Sequence, residues 1–101
     1  MAKLSSVLKN ERRKAMAEKF GRYRTELRKK ANNPNVPEEE RAAARLKLAK
    51  LPRDTSPIRS TVRCSLTGRP RGTFRKFGLG RTKIREIAMR GEIPGVIKAS
   101  W

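Results

Sequence analysis

Four positions of this chain, Cys64, Thr67, Gly80 and Lys83, stand at the spacing x2, x12, x2. Four cysteines at that spacing would make a zinc ribbon, with two thiolates from each of two tight knuckles. Three of the four are not cysteines here, and the chain has no histidine to replace them. Residues 63–101 thus have the layout of a metal-stapled knuckle without its ligands. The expectation is a degenerate, zinc-ribbon-like knuckle that lacks the metal.

Charge sets what such a segment can do. The 27 lysines and arginines against 9 acids give +18 over 101 residues, and only 36% of residues are hydrophobic. Self-repulsion of that size works against a compact isolated monomer and favours a polyanion partner. High net charge with few apolar residues also approaches the composition of chains that order only on a partner. The charge is not held in a tail: residues 1–31 are net +8, residues 32–52 net +1 and residues 53–101 net +9. A basic helical region, 1–52, and a basic knuckle region, 53–101, are the expected divisions.

One cysteine excludes an intramolecular disulfide. No apolar run reaches the roughly 18 residues that a membrane span needs. MAKLSSVLKNERRK lacks the apolar stretch of a signal peptide, and Glu11, Glu18 and Glu26 argue against a mitochondrial presequence. The cytosol is the default location.

The pattern from Leu4 to Ala31 predicts one long helix. Leu4 and Leu8, then Met16, Phe20, Tyr23 and Leu27, recur at helical steps and form one narrow apolar stripe. Arg12, Arg13, Lys19, Arg22, Lys29 and Lys30 lie largely off that stripe, on a face suited to solvent or to nucleic-acid phosphates. Gly21, which costs about 1 kcal/mol relative to alanine, marks a place to bend or to bind. ANNPNVP ends the helix, since residues before proline disfavour the α region. Pro37 and the triplet Glu38, Glu39 and Glu40 then start a second helix at its positive dipole end. It stops at Pro52, with Ala44, Leu48 and Leu51 on one side, so a helical hairpin is expected.

Residues 52–63 read as an extended connector with a short β stretch near Thr61 and Val62. Leu66 to Gly72 is turn chemistry, and residues 73–77 are a short strand or irregular return. The last helix begins near Arg81 or Thr82, with Ile84, Ile87 and Ala88 on its apolar side. Gly91 suits its C-terminal cap and Pro94 prevents continuation.

Catalysis has little support, because histidines, a phosphate-binding glycine loop and convergent carboxylates are all missing. Asp54, Glu86 and Glu92 read as ion partners for nearby arginines. The stronger signal is basic. Arg63, Arg69, Arg71, Arg75, Lys76, Arg81, Lys83 and Arg85 run through a turn-rich loop and a helix start. Guanidinium forks match phosphate oxygens, and glycines at 68, 72, 78 and 80 allow close backbone approach. Phe74, Phe77 and Trp101 offer faces for stacking on unpaired bases. Each phenylalanine is expected rather to fill a small core under the loop.

The stretch RCSLTGRPRGTFRKFGLGRTKIREIAMRGEIPGVIKASW closely resembles the C-terminal half of the bacterial small-subunit ribosomal protein S-fourteen family. The family tail, close to R-E-x-A-x-x-G-x-I-P-G-V-x-K-A-S-W, is matched from Arg85 to Trp101. The resemblance extends along the whole chain and is most specific in residues 63–101. The family has a short form with a four-cysteine zinc site and a long form without it. The ligand positions map to Cys64, Thr67, Gly80 and Lys83, so the resemblance implies the long, zinc-free form with no cofactor. It further implies a structural, non-enzymatic protein of the small-subunit head. Such a protein binds the 3′ domain of 16S ribosomal RNA beside head proteins numbers three, ten and nineteen. It supports head assembly and the decoding region in the cytoplasm. Trp101 joins the basic residues above as an expected rRNA contact.

The expected fold is mostly α and extended, folding largely on RNA, without membrane association or a homo-oligomer. It comprises a long N-terminal helix and helical hairpin, a degenerate knuckle and a short C-terminal helix. Two other readings use the same charge. A histone-like architectural DNA binder is one, although no dimer seam or intercalating wedge on a β arm is visible. A membrane-active helix over 4–31 is the other, although its apolar face is thin and interrupted.

Overall fold

The computed structural model describes residues 2–100. Among them it contains three α-helices, α1 (Leu4–Asn32), α2 (Glu38–Lys50) and α3 (Arg81–Met89). Two single-turn 3-10 segments span Arg53–Thr55 and Pro57–Arg59, and a two-stranded sheet pairs β1 (Thr73–Phe74) with β2 (Leu79–Gly80). The chain divides into two compact units, one of Lys9–Ser60 and the other of Met1–Leu8 with Thr61–Trp101.

The ends of the two long helices follow from local chemistry. Lys29 and Lys30 occupy the last turn of α1, where cations complement the negative end of the dipole. Beyond it, Asn33 accepts from the Asn35 N–H through its side chain and from the Val36 N–H through its carbonyl, closing a tight turn. Pro37 caps α2, and Glu38 holds both Arg41 (2.9 Å) and Arg45 (3.0 Å) along its first turns. Leu51 is extended (φ −64, ψ 144) because Pro52 follows it.

In the unit of residues 9–60 the buried core is small: Leu27, Ala31 and Ala44, with Leu48 and Leu51 packed against it. The hairpin is thus closed by one end of the α1 stripe only. Tyr23 is 44% exposed, contrary to the expectation of one continuous packing stripe. Its position leaves it outside the short length over which α1 meets α2.

Residues 52–63 differ from the expected extended connector. They form the two 3-10 turns, and no strand occurs at Thr61 or Val62. The cause is hydrogen bonding by small polar side chains. Thr55, fully buried, donates to the Pro52 carbonyl at 2.6 Å, and Ser60 donates to the Pro57 carbonyl at 2.8 Å. Each bond favours a turn over an extended backbone. Asp54 adds ion pairs to Arg59 (3.1 Å) and Arg13 (3.6 Å).

In the other unit, two similar turns flank the sheet. The Gly68 N–H donates to the Cys64 carbonyl (2.8 Å) and the Gly78 N–H to the Phe74 carbonyl (2.8 Å). Both glycines have positive φ, 74° and 67°, a conformation that a side chain disfavours. The turns are joined by the Ser65 N–H donating to the Gly78 carbonyl at 3.0 Å. Residues 2–8 pack on the first turn: the Ala2 N–H donates to the Thr67 carbonyl, and Val7 Cγ2 lies 2.8 Å from where a Gly68 Cβ would stand. A side chain at 68 is therefore excluded twice, by conformation and by space. The start of α1 also departs from the expected stripe, since Leu4 and Leu8 are exposed.

Candidate nucleic-acid interface

The turn from Cys64 to Arg69 is closed by the Cys64 N–H donating to the Arg69 carbonyl at 3.0 Å. It places Cys64 Sγ, buried, among hydrogen-bond donors: the Thr67 hydroxyl and the backbone N–H groups of Gly80, Thr67 and Leu66. Burial pushes the thiol pKa up, but these donors together outweigh it and lower it from 9.0 to about 6. A sulfur held this way has thiolate character. Its solvent exposure is 3%, which keeps reagents away.

The four positions with ribbon spacing do not supply a zinc donor set. Cys64 offers one sulfur, a threonine hydroxyl is not among the usual protein ligands of zinc, and Gly80 has no side chain. The Lys83 ammonium pairs with Glu86 at 3.0 Å. A closed tetrahedral site needs four donors, so these residues do not fit a zinc ion. Among the described residues no group of three or more His, Cys, Asp or Glu side chains could hold a metal.

Around this sulfur-centred turn the basic residues separate into two groups. Arg63, Arg69 and Lys83 serve the fold. Arg63 donates to the Gly68 carbonyl (2.9 Å), Arg69 donates to the Arg71 carbonyl (3.0 Å), and Lys83 pairs with Glu86. Arg71, Arg75, Lys76, Arg81 and Arg85 are exposed and make no ion pair among the described residues. The Lys76 ammonium lies 5.8 Å from the Phe77 ring centre, within cation–π range. Trp101 lies outside the described residues.

Backbone geometry gathers the free cations. The Arg81 N–H donates to the Gly72 carbonyl at 2.8 Å, which brings the start of α3 beside the arginine-rich turn. Gly72 has φ 62, so the turn needs a residue without a side chain there. At its other end α3 closes with a Schellman motif: the Gly91 N–H reaches the Ala88 carbonyl (3.0 Å) and the Glu92 N–H the Ile87 carbonyl (3.2 Å). The Glu92 carboxylate stands 3.8 Å from Arg90, so Asp54, Glu86 and Glu92 all act as ion partners.

The phenylalanines contradict the expected small core. Phe74 is 54% exposed and Phe77 37% exposed. A two-residue strand with a tight return gives no second layer to cover them. Phe74 instead edges a groove of about 740 Å³ whose walls include Arg81, Arg85, Met89, Ile97 and Lys98. Sequence reasoning missed Lys98, because the residues after Pro94 showed no periodicity that would bring it beside α3.

The assembly is thus a basic surface with exposed aromatic faces, whose chemistry suits phosphate and base contacts. Residues 47–100 match the family model described as ribosomal protein S14p/S29e, which is more than half of the chain. The chain belongs to this family. It is a structural protein of the small ribosomal subunit, where it assembles with ribosomal RNA. The family is structural and generally non-enzymatic. Among the described residues no helix is long and apolar enough to cross a membrane.

Proposed function

We propose that this chain is the long, zinc-free form of S14, as in bacteria, and that it binds the 3′ domain of 16S ribosomal RNA in the subunit head. There it supports head assembly and the decoding region, beside head proteins numbers three, ten and nineteen, in cytoplasmic ribosomes. Residues 53–101 are the principal RNA-binding region and residues 1–52 a basic helical region. The turn at 64–69 and the junction of β2 with α3 at 80–83 are the remnant of the two zinc knuckles, held by hydrogen bonds in place of metal.

The observation that carries this reading is the set of five unpaired cations, Arg71, Arg75, Lys76, Arg81 and Arg85, within the family-matched segment. With no acid assigned to them by the fold, their charge is available to phosphates. Arg63, Arg69, Lys83 and Trp101 complete the proposed rRNA contacts, Arg63 and Arg69 while bonded to carbonyls of the turn and Lys83 while paired with Glu86. Ultraviolet crosslinking of the chain in assembled subunits, with the attached nucleotides mapped by primer extension, tests the reading. Crosslinks from residues 69–85 to the 3′ domain are expected. Crosslinks confined to another rRNA domain would overturn it.

A further inference from the structure

We propose that a second RNA seat lies on α1 over Gly21, where one sugar–phosphate strand of the ribosomal RNA rests against the helix backbone. This rests on the small-subunit RNA-binding reading, but the α1 residues of the site lie outside the residues matched by the family model, and only Thr55 and Pro57 lie within them. Gly21 sits in the middle of α1, and a Cβ built on it would meet nothing within 4 Å. The space above it belongs to a groove of about 540 Å³ lined by Arg24, Thr25, Arg28, Lys29 and Pro57, among others, with no acidic residue in its wall. A mid-helix glycine is unfavourable for the helix alone. Here it lets a bulky anionic strand approach the helix surface.

Three features identify the occupant. Arg24 is pre-oriented: it donates to the Thr55 hydroxyl at 3.0 Å, and Thr55, fully buried, is fixed because it donates to the Pro52 carbonyl. A guanidinium held from behind loses little freedom on meeting a phosphate. Arg28 and Lys29 are exposed and make no ion pair among the described residues, so both can take further phosphates. The Thr25 hydroxyl donates to the Gly21 carbonyl at 2.8 Å, which leaves its oxygen as an acceptor for a ribose 2′-hydroxyl.

The test separates shape from charge in the full-length chain, with a 3′-domain rRNA transcript as the probe. Gly21→Met fills the groove, keeps the charge and favours the helix. Helicity by circular dichroism should equal or exceed that of the wild type, while affinity falls by about tenfold, or about 1.4 kcal/mol. The dependence of log K on log salt should stay unchanged in that variant. Arg28→Gln and Lys29→Gln should each flatten that slope by about 0.7 to 0.9. A photo-crosslinker on the Thr25→Cys variant in a Cys64→Ser background should attach to rRNA in assembled subunits. Wild-type affinity in Gly21→Met, alongside weakened binding in Arg71→Ala, would overturn the second seat and leave the proposed function standing. Attachment of the crosslinker to a protein would overturn it as well. A wild-type chain that bound the transcript no better than duplex DNA would instead remove the reading on which both rest.

Discussion

Cys64 is the residue on which the knuckle turns. Its sulfur is buried, yet four donors hold its pKa near 6 instead of 9.0. A depressed thiol pKa stabilises the folded state as soon as the thiol ionises there, and fully once it would also ionise in the unfolded chain. The stabilisation is therefore full above pH ~9, declines as pH falls towards about 6 and is absent below that. In the RNA-bound chain, the ¹³Cβ shift of Cys64 should titrate with a midpoint near 6. Thr67→Val, which removes the hydroxyl donor, should move that midpoint upward. A midpoint unchanged by the substitution would mean that the hydroxyl does not support the thiolate.

At the scale of elements, we propose that the Cys64–Arg69 turn and the junction of β2 with α3 keep a ribbon-like arrangement whose ligands can be restored. Gly80 has an extended backbone (φ −70, ψ 154), so a side chain there is free of left-handed strain. A Cβ on Gly80 would stand 3.6 Å from Cys64 Cβ and 3.7 Å from its sulfur, in ordinary contact. Thr67→Cys, Gly80→Cys and Lys83→Cys together with native Cys64 should bind one zinc per chain under reducing conditions, with new amide protection across residues 63–90. The reducing conditions matter, because a Cβ separation of 3.6 Å also suits a disulfide. Absence of zinc binding would show that the spacing does not report ribbon geometry. The helix boundaries were legible in the sequence because their signals are local: Asn33 and Pro34 end α1, Pro37 and three glutamates open α2, and Gly91 closes α3. The turns at 53–59 and the packing of Val7 on Gly68 were not, since both depend on partners that no periodicity indicates. The candidate site was legible as a set of basic residues. Which of them the fold consumes became visible only with the carbonyls that Arg63 and Arg69 reach.

For the molecule as a whole, few buried apolar residues oppose a charge of +18. Leu27, Ala31, Ala44 and Cys64 are the buried apolar residues among those described, and only Cys64 belongs to the unit that carries the family match's basic turns. Burial on that scale stabilises a chain weakly against its conformational entropy. Hydrogen exchange on the isolated chain should therefore find partial protection in the helices of residues 9–60 and little in residues 61–100, with protection of the latter appearing on RNA. Uniform protection and one sharp thermal transition without RNA would count against this. The central claim, that the free cations of residues 71–85 form the main rRNA surface, is tested most directly by the salt dependence of binding to a 3′-domain rRNA transcript. Arg71→Ala and Arg81→Ala should each weaken binding and flatten the slope of log K against log salt by about 0.7 to 0.9. Unchanged affinity in both, with binding abolished by Arg12→Ala and Arg13→Ala, would contradict it.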